Sequence, residues 1–213
     1  MVMELPVIVL GGGGHARVLI EILQRRKVRI EGISLVEPAV DELYGYRVIG
    51  NDEDVLLRYP ANQVLLVNAV GSSGPAVGRK ALYAKFRAIG YRFASVIHPS
   101  AVVASDCMIG EGVQVMAGAI IQPGCRLGDN VLINTKASID HDGDVGHHVH
   151  VAVGATVAGG VKIGDGAFIG AGSTIIQNLS IGANSLVGAG AVVVRDVRAN
   201  TTVIGVPARE VNG

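Results

Sequence analysis

The chain has 213 residues and carries 18 basic against 18 acidic side chains, so its formal net charge is zero and no basic surface for nucleic acid or anionic lipid is expected. It has no stretch of roughly 18 consecutive apolar residues that could span a membrane, and its N-terminus has neither the basic region nor the cleavage site of a secretory signal. Its two cysteines form no disulfide framework, so we expect a cytoplasmic protein that binds neither nucleic acid nor membranes.

Strand and helix signals alternate through residues 1–92 and predict a small Rossmann-like βαβ domain, an α/β fold. The expected elements are a strand over 7–10, a helix over 16–26, strands over 29–37 and 63–70, and a helix over 75–89. Strands joined by crossover helices form a parallel sheet with helices on its faces. We therefore expect a small parallel sheet in this domain.

The sequence GGGGHAR, residues 11–17, joins the first strand to the first helix. Backbone N–H groups of Gly13, Gly14 and His15, at the positive end of the helix dipole, can bind the negative charge of a phosphate. This turn therefore predicts a phosphate site, which a dinucleotide or a nucleotide-linked substrate could fill.

From Ile97 onward, aliphatic residues recur every six positions without an insertion. The seventeen positions, all Ile, Leu or Val, are Ile97, Val103, Ile109, Val115, Ile121, Leu127, Ile133, Ile139, Val145, Val151, Val157, Ile163, Ile169, Ile175, Ile181, Val187 and Val193. A mostly small residue stands four positions after each. This period fits neither an α-helix nor a strand meander, and it predicts a parallel β-helix in which three hexapeptides form one coil. We assign the β-helix to residues 93–213, with a short C-terminal tail.

The two cysteines, Cys107 and Cys125, both occupy the small inward position and lie one coil apart. We expect them to stack in the core as inert buried thiols. Their spacing leaves disulfide geometry conceivable, and nothing in the sequence indicates a catalytic role for them.

One part of the six-residue repeat differs in composition from the rest: residues 133–155 hold a cluster of histidines and aspartates. They are His141, His147, His148, His150, Asp140, Asp142 and Asp144. None falls on an inward position, so we expect all of them to point outward, toward solvent or a neighbouring subunit. A histidine beside a carboxylate is the minimal general-base unit, since the carboxylate stabilises the imidazolium. His141 with Asp142 fits this unit, and Asp140 is the rival orienting group.

A zinc site is the alternative use of these histidines. Zinc needs its protein ligands at one point, whereas the four histidines are spread over two faces of the coil. We therefore expect no metal.

Three motifs together resemble one family. They are the GxxGHxR-type turn, the coil sequence NTxxxIDHDxxxGxxxHVxxGA and the closing VIGVPARE. In this combination the chain resembles, over its full length, the NeuD/PglD-type sugar acyltransferases. The resemblance implies a left-handed β-helix, acetyl-CoA as co-substrate and a homotrimer.

By this resemblance, His141 is the general base that deprotonates the acceptor, and Asp142 increases its basicity. His150 is similar to the second histidine of the family, which contacts acetyl-CoA. The pantetheine arm of acetyl-CoA is expected along Gly159, Ala171 and Ala189. No Cys or Ser is placed as a nucleophile beside His141, so direct attack of the acceptor on the thioester is favoured over an acyl-enzyme.

The resemblance also implies an acceptor, a nucleotide-linked 4-amino-4,6-dideoxy sugar acetylated at its C4 amine. Overall likeness favours GDP-perosamine, with a UDP-linked sugar next. We expect the nucleotide sugar to be held by Gly13, Gly14, His15, Glu37 and Gly71. Glu37 alone remains where relatives often carry an acidic pair. One alternative is O-acetylation of sialic acid or another sugar, and a further one is a non-catalytic nucleotide-binding scaffold.

NAD binding is the strongest competitor at the glycine turn. Gly11, Gly13 and Ala16 satisfy the dinucleotide fingerprint, and Glu37 follows at about the expected spacing. However, the first domain has about the size of one mononucleotide-binding half, and the candidate general base lies in the β-helix. We therefore expect the turn to bind the diphosphate of a substrate and no redox cofactor.

Overall fold

The computed structural model describes residues 5–72, 74 and 77–211. The chain divides into two compact units, one built mainly from Met1–Ser72 and Val77–Pro99 and the other mainly from Ser100–Gly213. Within the described ranges, no helix has both the length and the apolar character needed to cross a membrane.

The first unit is an α/β domain, as the alternation of signals predicts. Its elements are β1 (Val7–Leu10), α1 (Gly14–Arg25), β2 (Ile30–Ser34), β3 (Glu42–Leu43), β4 (Tyr46–Gly50), α2 (Asp52–Arg58), β5 (Leu65–Asn68), α3 (Val77–Ala88) and β6 (Val96–Ile97). The sheet order is β3-β4-β2-β1-β5, and all pairings are parallel except the β3–β4 hairpin. The predicted start of the last helix at Pro75 lies outside the described residues.

Three of these elements, β3, β4 and α2, were not expected from the sequence, and a fourth, β6, contains Ile97, which the six-residue period had assigned to the β-helix. The turn between β3 and β4 is marked by Tyr44 and Gly45, both with positive φ. Asn51 begins α2 with a capping box: its Oδ1 accepts from the backbone N–H of Asp54 at 3.2 Å, and Asp54 Oδ2 accepts from the N–H of Asn51 at 3.0 Å. Such a box satisfies two helix-end donors and was visible in the sequence.

The core of the first unit is rich in aromatic residues. Every residue of β1 is buried, and α1 packs its apolar side, including Leu19 and Leu23, inward. Tyr83 and Phe93 stack with ring centroids 4.6 Å apart, and Tyr91 meets Phe86 edge-on at 5.3 Å. Large rings therefore fill the space between the sheet and α3.

The second unit is a left-handed parallel β-helix, which confirms the interpretation of the six-residue period. Its strands are β7 (Val102–Val103), β8 (Met108–Ile109), β9 (Gln114–Val115), β10 (Ile120–Ile121), β11 (Arg126–Leu127), β12 (Leu132–Ile133), β13 (Ser138–Ile139), β14 (Asp144–Val145), β15 (His150–Val151), β16 (Thr156–Val157), β17 (Lys162–Ile163), β18 (Phe168–Ile169), β19 (Thr174–Ile175), β20 (Ser180–Ile181), β21 (Leu186–Val187), β22 (Val192–Val193), β23 (Thr202–Ile204) and β24 (Arg209–Val211).

These strands form three flat faces. Of the strands from β7 onward, the first face contains β7, β10, β13, β16, β19 and β22, the second contains β8, β11, β14, β17 and β20, and the third contains β9, β12, β15, β18, β21, β23 and β24. Each strand pairs in parallel with the strand one coil further on, and β24 closes the third face by antiparallel pairing with β23.

The repeated aliphatic residues point into the β-helix. Of the sixteen that lie in this unit, from Val103 to Val193, all are buried except Val103 and Ile109, which are partly exposed in the first coil. Cys125 is buried as predicted, but Cys107 is partly exposed, and both thiols are free. Cys107 lies in the first coil, where the inward position is less completely covered.

A further regularity defines the corners of the β-helix. The third residue after an inward aliphatic residue has positive φ at most corners, and it is Gly or a polar residue such as Asn130, Asp142 or Asn178. Glycine, asparagine and aspartate are the residues that enter the left-handed region at least cost. Each corner therefore directs the two residues at the turn outward at a fixed period.

Candidate active site

The His141–Asp142 pair lies at the corner that follows β13 on the first face. Asp142 is the positive-φ residue of this corner, with φ of 58°. His141 Nδ1 lies 2.8 Å from Asp142 Oδ2. Because an ionised carboxylate can only accept, Nδ1 carries the proton and Nε2 is left as the basic nitrogen.

Asp142, and not Asp140, faces the imidazole ring. Asp140 Oδ1 instead accepts a hydrogen bond from the backbone N–H of His141 at 2.8 Å. The hydrogen bond to Asp142 raises the pKa of His141 above its usual value, and the charges of Asp140 and Asp142 act in the same direction. The side chains of His141 and Asp142 are 63% and 73% exposed, so a substrate can reach both.

His150 differs from the expectation that the polar residues of this coil point toward solvent or a neighbouring subunit. It projects from the third face, but its side chain is buried within the chain. Its ring meets Phe168 edge-on, with centroids 5.0 Å apart, and its Nε2 lies 3.3 Å from Asn134 Nδ2. Phe168 covers His150 because the two residues occupy the same position in successive coils.

The remaining predicted acetyl-CoA residues lie on two edges of the β-helix, an edge being the line along which the corners of successive coils stack. Gly159 follows β16 on the edge that carries His141, and it is buried directly against the His141 ring. Ala171 and Ala189 are exposed on the edge that follows the third face. Within the chain, Gly159 is thus brought to His141, whereas Ala171 and Ala189 lie on a different edge.

His147 and His148 occupy the third edge, where they serve as hydrogen-bond partners. The backbone N–H of Asp129 donates to His147 Nδ1 at 3.0 Å, and Asn130 Nδ2 lies 3.0 Å from His148 Nδ1. In the part of the chain that the structure describes, no three His, Cys, Asp or Glu side chains come together as a metal ion would require.

The glycine turn of the first unit forms the start of α1. The helix begins at Gly14, and Gly13 caps it without a side-chain hydrogen bond. The first N–H groups of a helix have no acceptor within the helix, and they form the positive end of the helix dipole. Gly71, after β5, approaches this turn closely, since a methyl group built on Gly71 would lie 3.3 Å from His15 Cβ.

Tyr44, which the sequence did not suggest, organises the same turn. Its hydroxyl donates to the carbonyl of Gly12 at 3.0 Å. Gly11 has φ of 112°, a conformation that favours glycine. Tyr44 thus holds a carbonyl of the turn in place.

A cavity of about 550 Å³ opens beside the turn, at the carboxyl ends of β1 and β2. In an open α/β sheet, ligands bind at this end of the strands. Its lining includes Leu10, Gly11, Ser34, Val36, Asp52 and Lys85. Ser34 Oγ is buried and has no hydrogen-bond partner among the described residues, and Lys85 Nζ pairs with Asp52 Oδ2 at 2.9 Å. The cavity thus offers an apolar wall, a hydroxyl and a pair of opposite charges.

Glu37, the predicted ribose or base contact, is exposed in the loop after β2 and does not line this cavity. Ser34, Asp52 and Lys85 were missed by sequence reasoning because they come from three separate elements. Only their position after or beside a strand end could have suggested them.

Together, the β-helix and the exposed His–Asp pair at one corner define a hexapeptide-repeat acyltransferase. The profile of the bacterial transferase hexapeptide (six repeats) matches residues 101–141 and 160–195, and that of the PglD N-terminal domain matches residues 6–85. No curated protein sequence gives a significant match.

Solved structures resemble the chain over nearly its whole length. The GDP-perosamine N-acetyltransferase of Caulobacter crescentus, solved as a histidine-to-alanine mutant with CoA and GDP-perosamine, is 38% identical, with a TM-score of 0.90 over 98% of this chain and 97% of that chain. The acetyltransferase domain of PglB from Neisseria gonorrhoeae is 32% identical, with a TM-score of 0.89 over 98% and 100% of the two chains. The chain therefore belongs to the NeuD/PglD-type sugar acyltransferase family.

Proposed function

We propose that this protein transfers the acetyl group of acetyl-CoA to the C4 amino group of a nucleotide-linked 4-amino-4,6-dideoxy sugar, with GDP-perosamine as the favoured acceptor and a UDP-linked sugar next. The observation that carries the proposal is the exposed His141–Asp142 pair in a chain with 38% identity to an enzyme crystallised with CoA and GDP-perosamine. The PglB domain, 32% identical, was solved with acetyl coenzyme A.

In the proposed reaction, the acceptor amine attacks the thioester carbonyl carbon directly. A C–N bond forms, the C–S bond breaks, and the electron pair of that bond leaves with the CoA sulfur. His141 Nε2 takes the proton that the amine loses, while Nδ1–H remains bonded to Asp142. Asp142 thereby holds the ring in the tautomer that leaves Nε2 basic and stabilises the imidazolium that forms.

The first unit supplies the grip on the nucleotide in this proposal. The amides of Gly13, Gly14 and His15 at the start of α1 bind the diphosphate, and Gly71 gives the close approach that this turn needs. The adjoining cavity takes the nucleoside, with the buried Ser34 hydroxyl as a hydrogen-bonding group. Glu37, exposed beyond the cavity, is left to contact the ribose from the solvent side.

For acetyl-CoA we propose contacts with His150, Gly159, Ala171 and Ala189. The small residues at the last three positions let an extended thioester chain lie against the backbone. Exposure of Ala171 and Ala189 supports this path. His150 is buried against Phe168, so its role is to present a fixed ring edge rather than to reach into solvent.

We also propose a cytoplasmic homotrimer. Both cysteines are free, in keeping with a reducing compartment. Val102 and Met108 are 60% and 61% exposed on the outward faces of the first coil, which is apolar surface that neighbouring subunits could cover. Light scattering during gel filtration measures the subunit number directly.

The test of the proposed function is an acetylation assay with purified protein, acetyl-CoA and a panel of acceptors. The panel contains GDP-perosamine, a UDP-linked 4-amino-4,6-dideoxy sugar, their 4-hydroxy counterparts and sialic acid. We expect release of CoA thiol and an N-acetylated product with an amino sugar, and neither with the 4-hydroxy compounds. Activity confined to sialic acid, or no CoA release with any amino-sugar nucleotide, would contradict the proposal.

A further inference from the structure

The imidazole of His141 rests on the backbone of Gly159, at the same position one coil further on. A methyl group built on Gly159 would lie 2.5 Å from His141 Nε2, 2.6 Å from Cε1 and 3.1 Å from Cδ2. These three ring atoms are the nearest heavy atoms that such a methyl group would meet. Real side chains do not approach this closely, so the ring can occupy its position only because residue 159 has no side chain.

We infer that Gly159 is a positioning residue for His141: the bare backbone at 159 seats the imidazole and so fixes the direction of Nε2. The inference rests on the proposed function for its catalytic meaning, because Nε2 is the atom that would accept the proton. It gives Gly159 a task distinct from its proposed backbone contact with acetyl-CoA.

Asp142 makes a similar close contact with a glycine one coil earlier, Gly124. A methyl group on Gly124 would lie 2.6 Å from Asp142 Oδ1. Backbone hydrogen bonds fasten the same coils, since Asp142 N–H donates to Pro123 O at 3.0 Å and Gly160 N–H donates to His141 O at 2.8 Å. The pair is therefore held between two glycines, Gly124 behind the carboxylate and Gly159 under the ring.

The backbone itself does not require glycine at 159. Gly159 is not among the positive-φ glycines, whereas Gly124 has φ of 77°. At the equivalent position of other coils the chain carries alanine, at Ala117 and Ala183 for example. A side chain therefore fits the coil at this position, and the contact with His141 is what excludes it at 159.

The test is Gly159→Ala, compared with Ala183→Ser, which also adds one heavy atom at the equivalent position of a different edge. Because the ring must move by about 1 Å, kcat should fall by about 10²-fold, while KM for the nucleotide sugar stays within about twofold. Ala183→Ser should leave kcat and KM unchanged. Wild-type kcat in Gly159→Ala would overturn the inference.

A second readout does not depend on activity. In Gly159→Ala the displaced ring loses its short hydrogen bond to Asp142, so NMR titration of His141 should show a lower pKa than in the wild type. An unchanged titration curve would overturn the inference. If the wild type acetylated no acceptor but this shift occurred, the proposed function would fail while the seating of His141 would stand.

A double mutant separates the clash from general damage. Should Gly159→Ala lower the melting temperature, adding His141→Ala removes the ring that the methyl group meets, and the melting temperature should return to that of His141→Ala alone. Absence of this recovery would show that the coil itself needs glycine, which contradicts the inference.

Discussion

The two units build their functional groups in different ways. In the first unit, the cavity beside the glycine turn draws on the ends of β1 and β2, the start of α2 and the side of α3. In the β-helix, the His141–Asp142 pair comes from two adjacent residues at one corner. Core composition differs as well: all five tyrosines precede residue 92, and Phe168 is the one aromatic side chain after Phe93. A repetitive scaffold thus shows its site as a local departure from the repeat, whereas an irregular one assembles its site from distant segments.

If the chemistry belongs to the β-helix alone, His141→Asn should separate catalysis from nucleotide binding. Loss of the general base should lower kcat by about 10²- to 10⁴-fold. The Kd for the nucleoside diphosphate should stay within about twofold, as measured by calorimetry. A variant that kept its kcat would remove His141 from the mechanism, and a parallel loss of nucleotide affinity would break the division between the units.

Gly14→Asp should do the reverse of His141→Asn: it should weaken nucleotide binding and leave catalysis intact. A methyl group at Gly14 meets nothing within 4 Å, so the side chain fits at the start of α1. Its carboxylate would oppose a bound diphosphate and raise the Kd by about tenfold. The kcat at saturating substrate and the melting temperature should not fall, because an acidic residue favours the first turn of a helix.

Gly14→Ala is the matched control, since it adds a side chain without charge. It should bind the nucleoside diphosphate nearly as well as the wild type. Equal weakening by both variants would mean that the turn excludes side chains and does not act through its positive dipole.

An effect no larger than that of Gly14→Asp is expected from Asp142→Asn, and it is clearest as a pH dependence. The hydrogen bond to Asp142 raises the pKa of His141, so its loss should lower that pKa. The base is active when neutral, and the acidic limb of kcat/KM should therefore move to lower pH. The plateau should fall by about tenfold because a weaker base takes the proton less readily. A limb that moved to higher pH would contradict the pairing.

The hexapeptide period allowed the β-helix to be predicted almost completely, because every inward position repeats the same packing requirement. His141 and Asp142 were also predictable, since they stand out in a corner that otherwise needs small or turn-forming residues. Which of Asp140 and Asp142 faces the His141 ring could not be predicted. That depends on the positive φ of residue 142, which directs its carboxylate toward the ring.

Burial of His150 depends on a partner one coil away. The sequence places Phe168 eighteen residues later, and this spacing was sufficient to predict the contact once the register is known. In the first unit, β3 and β4 are short strands with mixed composition, so their pairing could not be derived from periodicity. Ser34, Asp52 and Lys85 meet only through the sheet order, which the local sequence does not encode.

The coil period also limits how such a chain can change its length. Gly124, Asp142 and Gly160 share one edge because they are spaced by one full coil. An insertion of six residues between Gly124 and His141 would shift the later coils by one edge and separate the His141–Asp142 pair from Gly124. Insertions or deletions of whole coils elsewhere would preserve that edge, so natural variation in length within such a β-helix should come in steps of one coil.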